Sequence, residues 1–91
     1  MNQEQITCLL RQVRRREGVT QPRLAEGANW VLERLLTPYP RLTCEIISQA
    51  ENEAVVLIPN HVHAIATFLD CSAHDIYPNI YPVLYKRESS G

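Results

Sequence analysis

The stretch HVHAIATFLDCSAH, residues 61 to 74, carries the side chains with the most obvious capacity for chemistry. It contains four residues of zinc-ligand type, His61, His63, Cys71 and His74. On a helix, residues two apart point about 200° away from each other, so that His61 and His63 are poorly placed to share one ion. We therefore predict no metal site and interpret the histidines as surface or half-buried groups.

Catalysis has little support in the chain. Cys71 and His74 can be drawn as a nucleophile and its base, but neighbours three residues apart across a helix end are usually accidental. The sequence has no glycine-rich phosphate loop, no G-x-S-x-G and no H-E-x-x-H. We predict that the protein is not an enzyme, needs no cofactor and has no small-molecule substrate.

The composition is that of a globular protein. The 91 residues are 45% hydrophobic and 21% charged, unlike a disordered chain. We predict one domain over residues 1–85 and a flexible C-terminal tail over residues 86–91. The three cysteines form no C-x-x-C pair, which predicts reduced, mostly buried thiols: Cys8, Cys44 and Cys71.

No targeting or membrane segment is recognisable. The N-terminus lacks a basic region followed by a long apolar stretch, and the longest strictly apolar run, AVVLI at residues 54–58, is too short to span a bilayer. These features predict a cytoplasmic protein without a membrane partner.

Charge is distributed unevenly along the chain. The net charge is −1, but residues 1–44 hold seven arginines against four glutamates, whereas residues 45–91 hold two basic residues against six acidic ones. This polarity could present a phosphate-facing end, or it could pair the two halves of one chain or of two subunits. Eight of the nine basic residues are arginine, whose planar fork suits phosphates and carboxylates alike.

The elements that would position these groups are helical. A first helix is predicted by apolar residues in the i, i+3, i+4, i+7 pattern, with Gly18 as its stop: Ile6, Leu9, Leu10 and Val13. Thr20 is a good N-cap for a second helix, with Gln21 and Pro22 in its first turn. Apolar residues continue at helical spacing to Leu36, where TPYP ends the helix.

The second half of the chain predicts further helices. Thr43 is a candidate cap for a third helix over residues 44–52. The run AVVLI is either a strand or a buried connector. A fourth helix follows Pro59 to Leu69, and Ser72 with Asp75 resembles a capping box for a last turn at residues 73–77. The fold class is therefore all-α, with four to five helices and an apolar C-terminal tail.

Three of these segments, in chain order, resemble a known family. LRQVRRREGVTQPRLA, IISQAEN and AIATFLDCSAHDIY are similar to the lambda-repressor-like helix-turn-helix domains of the Cro and phage-repressor type. They correspond to that family's helix 1 with its Thr-Gln helix 2 start, to the end of its recognition helix, and to its helices 4 and 5. The resemblance implies a lambda-repressor-like DNA-binding domain with a lengthened region between helices 2 and 3.

The resemblance also implies which side chains read bases. On the candidate recognition helix, four residues would face outward, Cys44, Glu45, Ser48 and Gln49, because their neighbours Ile46, Ile47 and Ala50 face inward. Gln49 would read adenine, Ser48 would contact a base or phosphate, and Glu45 would accept from cytosine N4.

The contacts to the DNA backbone would come from the basic N-terminal half. Gln21 would bind a phosphate at the start of helix 2, where the helix dipole helps, although it equally serves to complete the first turn. The run RRRE at residues 14–17 could clamp phosphates or simply complement the dipole of helix 1. The full predicted set is Arg14, Arg15, Arg16, Gln21, Arg23 and Arg41.

The leading hypothesis is a small transcriptional regulator that binds double-stranded DNA as a homodimer. The alternative is a helix-turn-helix-derived module that no longer binds DNA and binds a protein instead. Its motivation is the inserted NWVLERLLTPYP together with an acidic recognition surface of Glu45, Glu51 and Glu53, which would repel a duplex.

The predicted partner or dimer interface consists of apolar and aromatic residues. Trp30 and Leu35 lie on a helix that is apolar over more than one face, which suits burial on two sides. Tyrosines at spacing four in the tail, Tyr77, Tyr81 and Tyr85, are as consistent with an interface as with intramolecular packing. The residues predicted at the interface are Trp30, Leu35, Tyr39, Tyr81 and Tyr85.

Overall fold

The computed structural model describes residues 6–35 and 40–82, and within these two ranges the chain forms five α-helices and no strand. The helices are α1 (Leu10–Arg16), α2 (Gln21–Arg34), α3 (Cys44–Glu51), α4 (Pro59–Leu69) and α5 (Ala73–Ile76). The all-α prediction is confirmed. Predictions for Leu36, Tyr39, Tyr85 and the tail at 86–91 fall outside the described residues. No helix in the two ranges is long and apolar enough to cross a membrane.

Three helices begin at the caps that the sequence predicted. The Thr20 hydroxyl accepts from the Arg23 N–H, and the Thr43 hydroxyl accepts from the Ile46 N–H. Ser72 and Asp75 form both bonds of a capping box at α5. The hydrogen bond from the Ser72 N–H lowers the pKa of Asp75, because it stabilises the carboxylate.

Helix α1 starts later than the apolar pattern predicted. The helix begins at Leu10, and residues 6–9 precede it in a non-helical conformation. The Leu9 N–H donates to the Ile76 carbonyl at 2.8 Å, which ties the chain before α1 to the end of α5. A contact between the two ends of the described chain thus replaces the first helical turn.

The core forms chiefly where α2 packs against α4, with α3, α1 and α5 closing its sides. Each helix contributes fully buried apolar side chains, among them Leu10, Leu24, Ala28, Ile47, Val62, Ile65 and Ile76. The three cysteines are free, as predicted, but they are half-buried rather than mostly buried.

The run AVVLI forms a connector that is neither helix nor strand. Only Leu57 is buried, whereas Val55, Val56 and Ile58 are exposed. The Leu57 N–H donates to the Tyr77 hydroxyl at 3.1 Å. Tyr77 is 1% exposed, and burial raises its pKa to about 12. Of the two interpretations of Tyr77, intramolecular packing is therefore the one observed.

The segment before α3 is held in place by side chains from α2 and α4. The buried Asn29 amide donates to the Leu42 carbonyl at 2.8 Å, and the Leu42 N–H donates back to Asn29 Oδ1 at 2.7 Å. His61 Nε2 donates to the Pro40 carbonyl at 2.8 Å. These bonds fix the backbone just before Thr43, the cap of α3.

Candidate nucleic-acid interface

Helix α3 presents a short polar face. Glu45 and Gln49 are exposed one turn apart, Ser48 is half-buried, and Ile47 and Ala50 are buried on the inner side. The outward positions predicted for Glu45 and Gln49 are therefore observed, and Ser48 lies at the edge of the same face.

Cys44 does not face outward, contrary to the prediction. It is half-buried, and its thiol donates to Gln21 Oε1 at 3.7 Å. The helical periodicity places Cys44 and Glu51 on the side of α3 that turns toward the other helices, because residues seven positions apart share a face.

The first turns of α2 and α3 meet at one surface. Gln21 is the first residue of α2 and Cys44 is the first residue of α3, and the contact between their side chains joins the two helix starts. Each helix start carries the positive end of its dipole and N–H groups without intrahelical partners. Each of these two helix ends favours an anion.

Glu51 lies beneath this surface, in a network of donors. The expectation that it belongs to an exposed acidic face is wrong, because its side chain is fully buried. Arg14 donates to both carboxylate oxygens, at 2.6 and 3.0 Å, and Gln21 donates at 3.0 Å. Arg11 adds a longer contact of 3.3 Å. Burial alone would raise the pKa of Glu51, but the hydrogen bonds from Arg14, Gln21 and Arg11 lower it.

Two of the predicted phosphate contacts take part in this network. The Arg14 side chain is 12% exposed, and its Nη1 also donates to the Val19 carbonyl at 2.9 Å. Its bond to Glu51 raises the pKa of Arg14. Gln21 is half-buried between Glu51 and Cys44. Both side chains join helices in this structure, where the sequence suggested a phosphate role.

The remaining predicted backbone contacts are exposed. Arg15 has no acidic group within 4 Å among the described residues, and Arg16 is 3.7 Å from Glu17. Two further exposed pairs also involve predicted contacts: Arg23 with Glu26 at 3.1 Å and Arg41 with Glu33 at 3.3 Å. Exposed pairs of this kind contribute little and exchange readily, so these arginines stay accessible to other anions.

Comparison with protein-family models, with curated proteins and with solved structures finds no match to this chain.

The predicted interface residues do not share one environment. Trp30 is 57% exposed, with the Arg34 guanidinium 4.5 Å from its ring centroid, and Leu35 is 51% exposed at the end of α2. Tyr81 is half-buried and has intramolecular partners: its carbonyl accepts from His74 Nδ1 at 2.7 Å, and its ring lies 6.0 Å from that of His63. Trp30 and Leu35 are thus exposed, whereas Tyr81 packs within the chain.

The three histidines and the one cysteine of residues 61–74 do not form a cluster. Across residues 6–35 and 40–82, no group of three or more His, Cys, Asp or Glu side chains is placed to hold a metal ion. His61 and His74 each bond a backbone carbonyl instead.

Three buried polar residues were not recognised from the sequence: Asn29, Glu51 and His61. The expectation that His61 is at the surface or half-buried is wrong, because its ring is buried against the Pro40 carbonyl. Glu51 follows Ala50 and lies four residues after Ile47, so that helical periodicity already placed its carboxylate on the inner side of α3. Asn29 follows Ala28 and lies four residues after Ala25, on the buried arc of α2. A polar residue on a buried arc signals a structural hydrogen bond, because such groups are rarely left unpaired.

Proposed function

We propose that this protein is a small DNA-binding regulator that reads double-stranded DNA through α3, in a modified lambda-repressor-like helix-turn-helix, and that it acts as a homodimer. The observation that carries the proposal is the meeting of the α2 and α3 N-termini beside an exposed polar face of α3. Such a surface suits a phosphate at the helix ends and base edges along α3.

The proposed base contacts are made by three residues of α3. Gln49 offers both a donor and an acceptor to adenine, Glu45 accepts from cytosine N4, and Ser48 supplies a hydroxyl at the edge of the face. Because Glu51 is buried and bound by Arg14, α3 presents fewer negative charges to a duplex than its sequence suggests.

The proposed backbone contacts are exposed arginines. Arg15 and Arg16, at the end of α1, are the main proposed phosphate contacts, since both are exposed. Arg41, just before α3, is a further one. The α2 start contributes main-chain N–H groups, while the Gln21 side chain positions that start through Glu51. Neutralised phosphates would supply most of the sequence-independent affinity.

The test is an unbiased DNA selection on the purified protein, followed by titration of the enriched site at two salt concentrations. Replacing Ser48 and Gln49 with Ala should relax the sequence preference. Replacing Arg15 and Arg16 with Ala should weaken binding to all sequences and reduce the salt slope by about 2. Thr67→Ala, at an exposed position on α4, is the control and should behave as the wild type. A folded protein that enriches no sequence contradicts the proposal.

A second candidate function is binding of a protein instead of DNA. The observation that favours it is the exposure of Trp30, at 57%, on the outer side of α2. The salt dependence of binding distinguishes the two functions. Affinity that rests on phosphate contacts falls steeply as the salt concentration rises, whereas the affinity of an apolar interface does not. A partner captured without salt dependence, and lost on Trp30→Ala, would support this second function.

A further inference from the structure

The outer face of α2 is not covered by any other helix of residues 6–35 and 40–82, and it has an ordered pattern of charge. Five exposed residues follow one side of the helix, with Trp30 three and four positions before the last two: Arg23, Glu26, Trp30, Glu33 and Arg34. The pattern along the helix is positive, negative, aromatic, negative, positive, with the indole near the middle.

A groove lies beside the indole. It has a volume of about 360 Å³ and is lined by Arg23, Glu26, Gly27, Trp30 and Phe68. A methyl group at Gly27 would overlap the Phe68 ring, so the absence of a side chain there is what allows Phe68 to lie against α2. The result is an aromatic-walled hollow next to an exposed aromatic side chain.

We propose that this face docks a second copy of the chain through antiparallel α2 helices, related by a twofold axis level with Ala28. A twofold interface brings the same patch of both subunits together, so the patch must complement itself. With the axis at Ala28, Trp30 lies level with the partner's Glu26, beside the groove of that subunit. Arg23 lies level with the partner's Glu33, and the symmetry repeats both contacts.

Charge and shape together select this arrangement. Arg23 and Glu33 stand five residues on either side of Ala28, so both symmetry-related pairs join opposite charges. Shifting the axis to Trp30 would bring the two indoles together and leave both grooves unfilled. Parallel helices in register would set each charge against its own copy, which is repulsive.

The size of the face sets the strength of the dimer. The 14 residues of α2 span about 21 Å. One face of a helix of this length buries a smaller area than the roughly 800 Å² that each partner buries in a standard interface. We therefore expect a dimer that dissociates in the micromolar range and that two half-sites on one DNA would reinforce.

The test is sedimentation equilibrium of the full chain, without DNA, over the micromolar range. Arg23→Glu and Glu33→Arg should each weaken self-association by about tenfold or more, because each variant puts like charges opposite one another twice. An equimolar mixture of the two variants should recover the wild-type association, since both contacts are then complementary. Trp30→Ala should also weaken association. Glu17→Arg, an exposed change directly after α1, is the control and should have no effect.

The mixing step separates this interface from the pairs within one chain. Arg23 already contacts Glu26, and Glu33 contacts Arg41, so a merely local effect of either variant would persist in the mixture. A wild-type chain that stays monomeric, single variants that associate as the wild type, or a mixture that fails to recover would each overturn the inference. Circular dichroism confirms that every variant is folded.

This inference deepens the proposed homodimer and rests on that part of the proposed function. Because the measurement contains no DNA, a chain that dimerises as described but selects no sequence would contradict only the DNA reading. A chain that selects DNA as a monomer would overturn this interface and the proposed homodimer, but not the proposed DNA binding.

Discussion

At the scale of single residues, the buried carboxylate of Glu51 connects three helices. Its oxygens receive hydrogen bonds from Arg14 and Arg11 on α1 and from Gln21 on α2, while the residue itself ends α3. A buried ion pair is weak support for stability in itself, but removing one partner leaves an uncompensated charge in the interior. Glu51 therefore fixes the position of α3 relative to the start of α2.

Replacing Glu51 with Ala should lower the free energy of unfolding by about 3–5 kcal/mol, because Arg14 is left buried without its partner. Glu51→Gln should be less damaging, since the amide oxygen still accepts one hydrogen bond. Urea unfolding followed by circular dichroism measures both changes. Glu45→Ala, on the exposed face of the same helix, is the control and should stay within about 0.5 kcal/mol of the wild type. Equal effects of Ala at 45 and 51 would contradict this role.

The same carboxylate predicts how stability depends on pH. The pKa of Glu51 is lowered in the folded state from the ordinary value of 4.5. Its contribution is therefore fully present above 4.5 and is lost as the pH falls through the lower folded pKa. Unfolding titrations below pH 4.5 should show a steeper loss of stability for the wild type than for Glu51→Gln. Parallel profiles would show that Glu51 does not titrate as described.

At the scale of helices and their connections, Asn29 secures the segment that leads into α3. Its amide forms a two-bond pair with the backbone of Leu42, as another peptide group would. Asn29→Ala should lower the free energy of unfolding by about 1–3 kcal/mol for each backbone group left unpaired. Asn52→Ala, whose side chain accepts one exposed bond from Arg11, is the matched control. Chemical denaturation compares them, and a similar small loss in both would exclude the anchoring role.

The contact between Gly27 and Phe68 predicts that Gly27→Ala lowers stability when the Phe68 ring is present and raises it when the ring is absent. Gly27→Ala should destabilise the protein, because the new methyl group displaces the Phe68 ring. In a Phe68→Ala background the same change should stabilise it by about 1 kcal/mol, since alanine favours helix over glycine and no ring remains to be displaced. Thermal unfolding of the four proteins completes the cycle. Destabilisation in both backgrounds would mean that Phe68 is not the obstacle.

The features that could be predicted from sequence are the local ones. The caps Thr20, Thr43 and Ser72 act within their own first turns, so residue type and spacing were enough to find them. The late start of α1 and the pairings of Asn29 and Glu51 depend on partners from 13 to 67 residues away. Spacing within a helix placed both polar side chains on a buried arc, but only the tertiary structure supplies the groups that satisfy them.

At the scale of the whole molecule, some of the unevenly distributed charges pair with each other inside the fold. The basic half and the acidic half of the sequence meet where Arg11 and Arg14 bind Glu51, which is one of the outcomes that the asymmetry allowed. Arg15 and Arg16 remain exposed near this contact, and α2 carries charges of both signs on the side that faces away from the core. The surface proposed to bind DNA and the surface proposed to bind a second copy are therefore formed by different residues.

A second copy that binds only the folded chain makes thermal stability depend on concentration. The melting temperature of the wild type should rise with protein concentration across the dissociation range, because mass action favours the folded dimer. Arg23→Glu should melt at a temperature that does not change over the same range, and its equimolar mixture with Glu33→Arg should regain the dependence. Scanning calorimetry with reversible scans measures the shift, and Glu17→Arg should follow the wild type. A wild-type melting temperature that is independent of concentration, in a range where sedimentation detects dimers, would mean that association does not stabilise the fold through this face of α2.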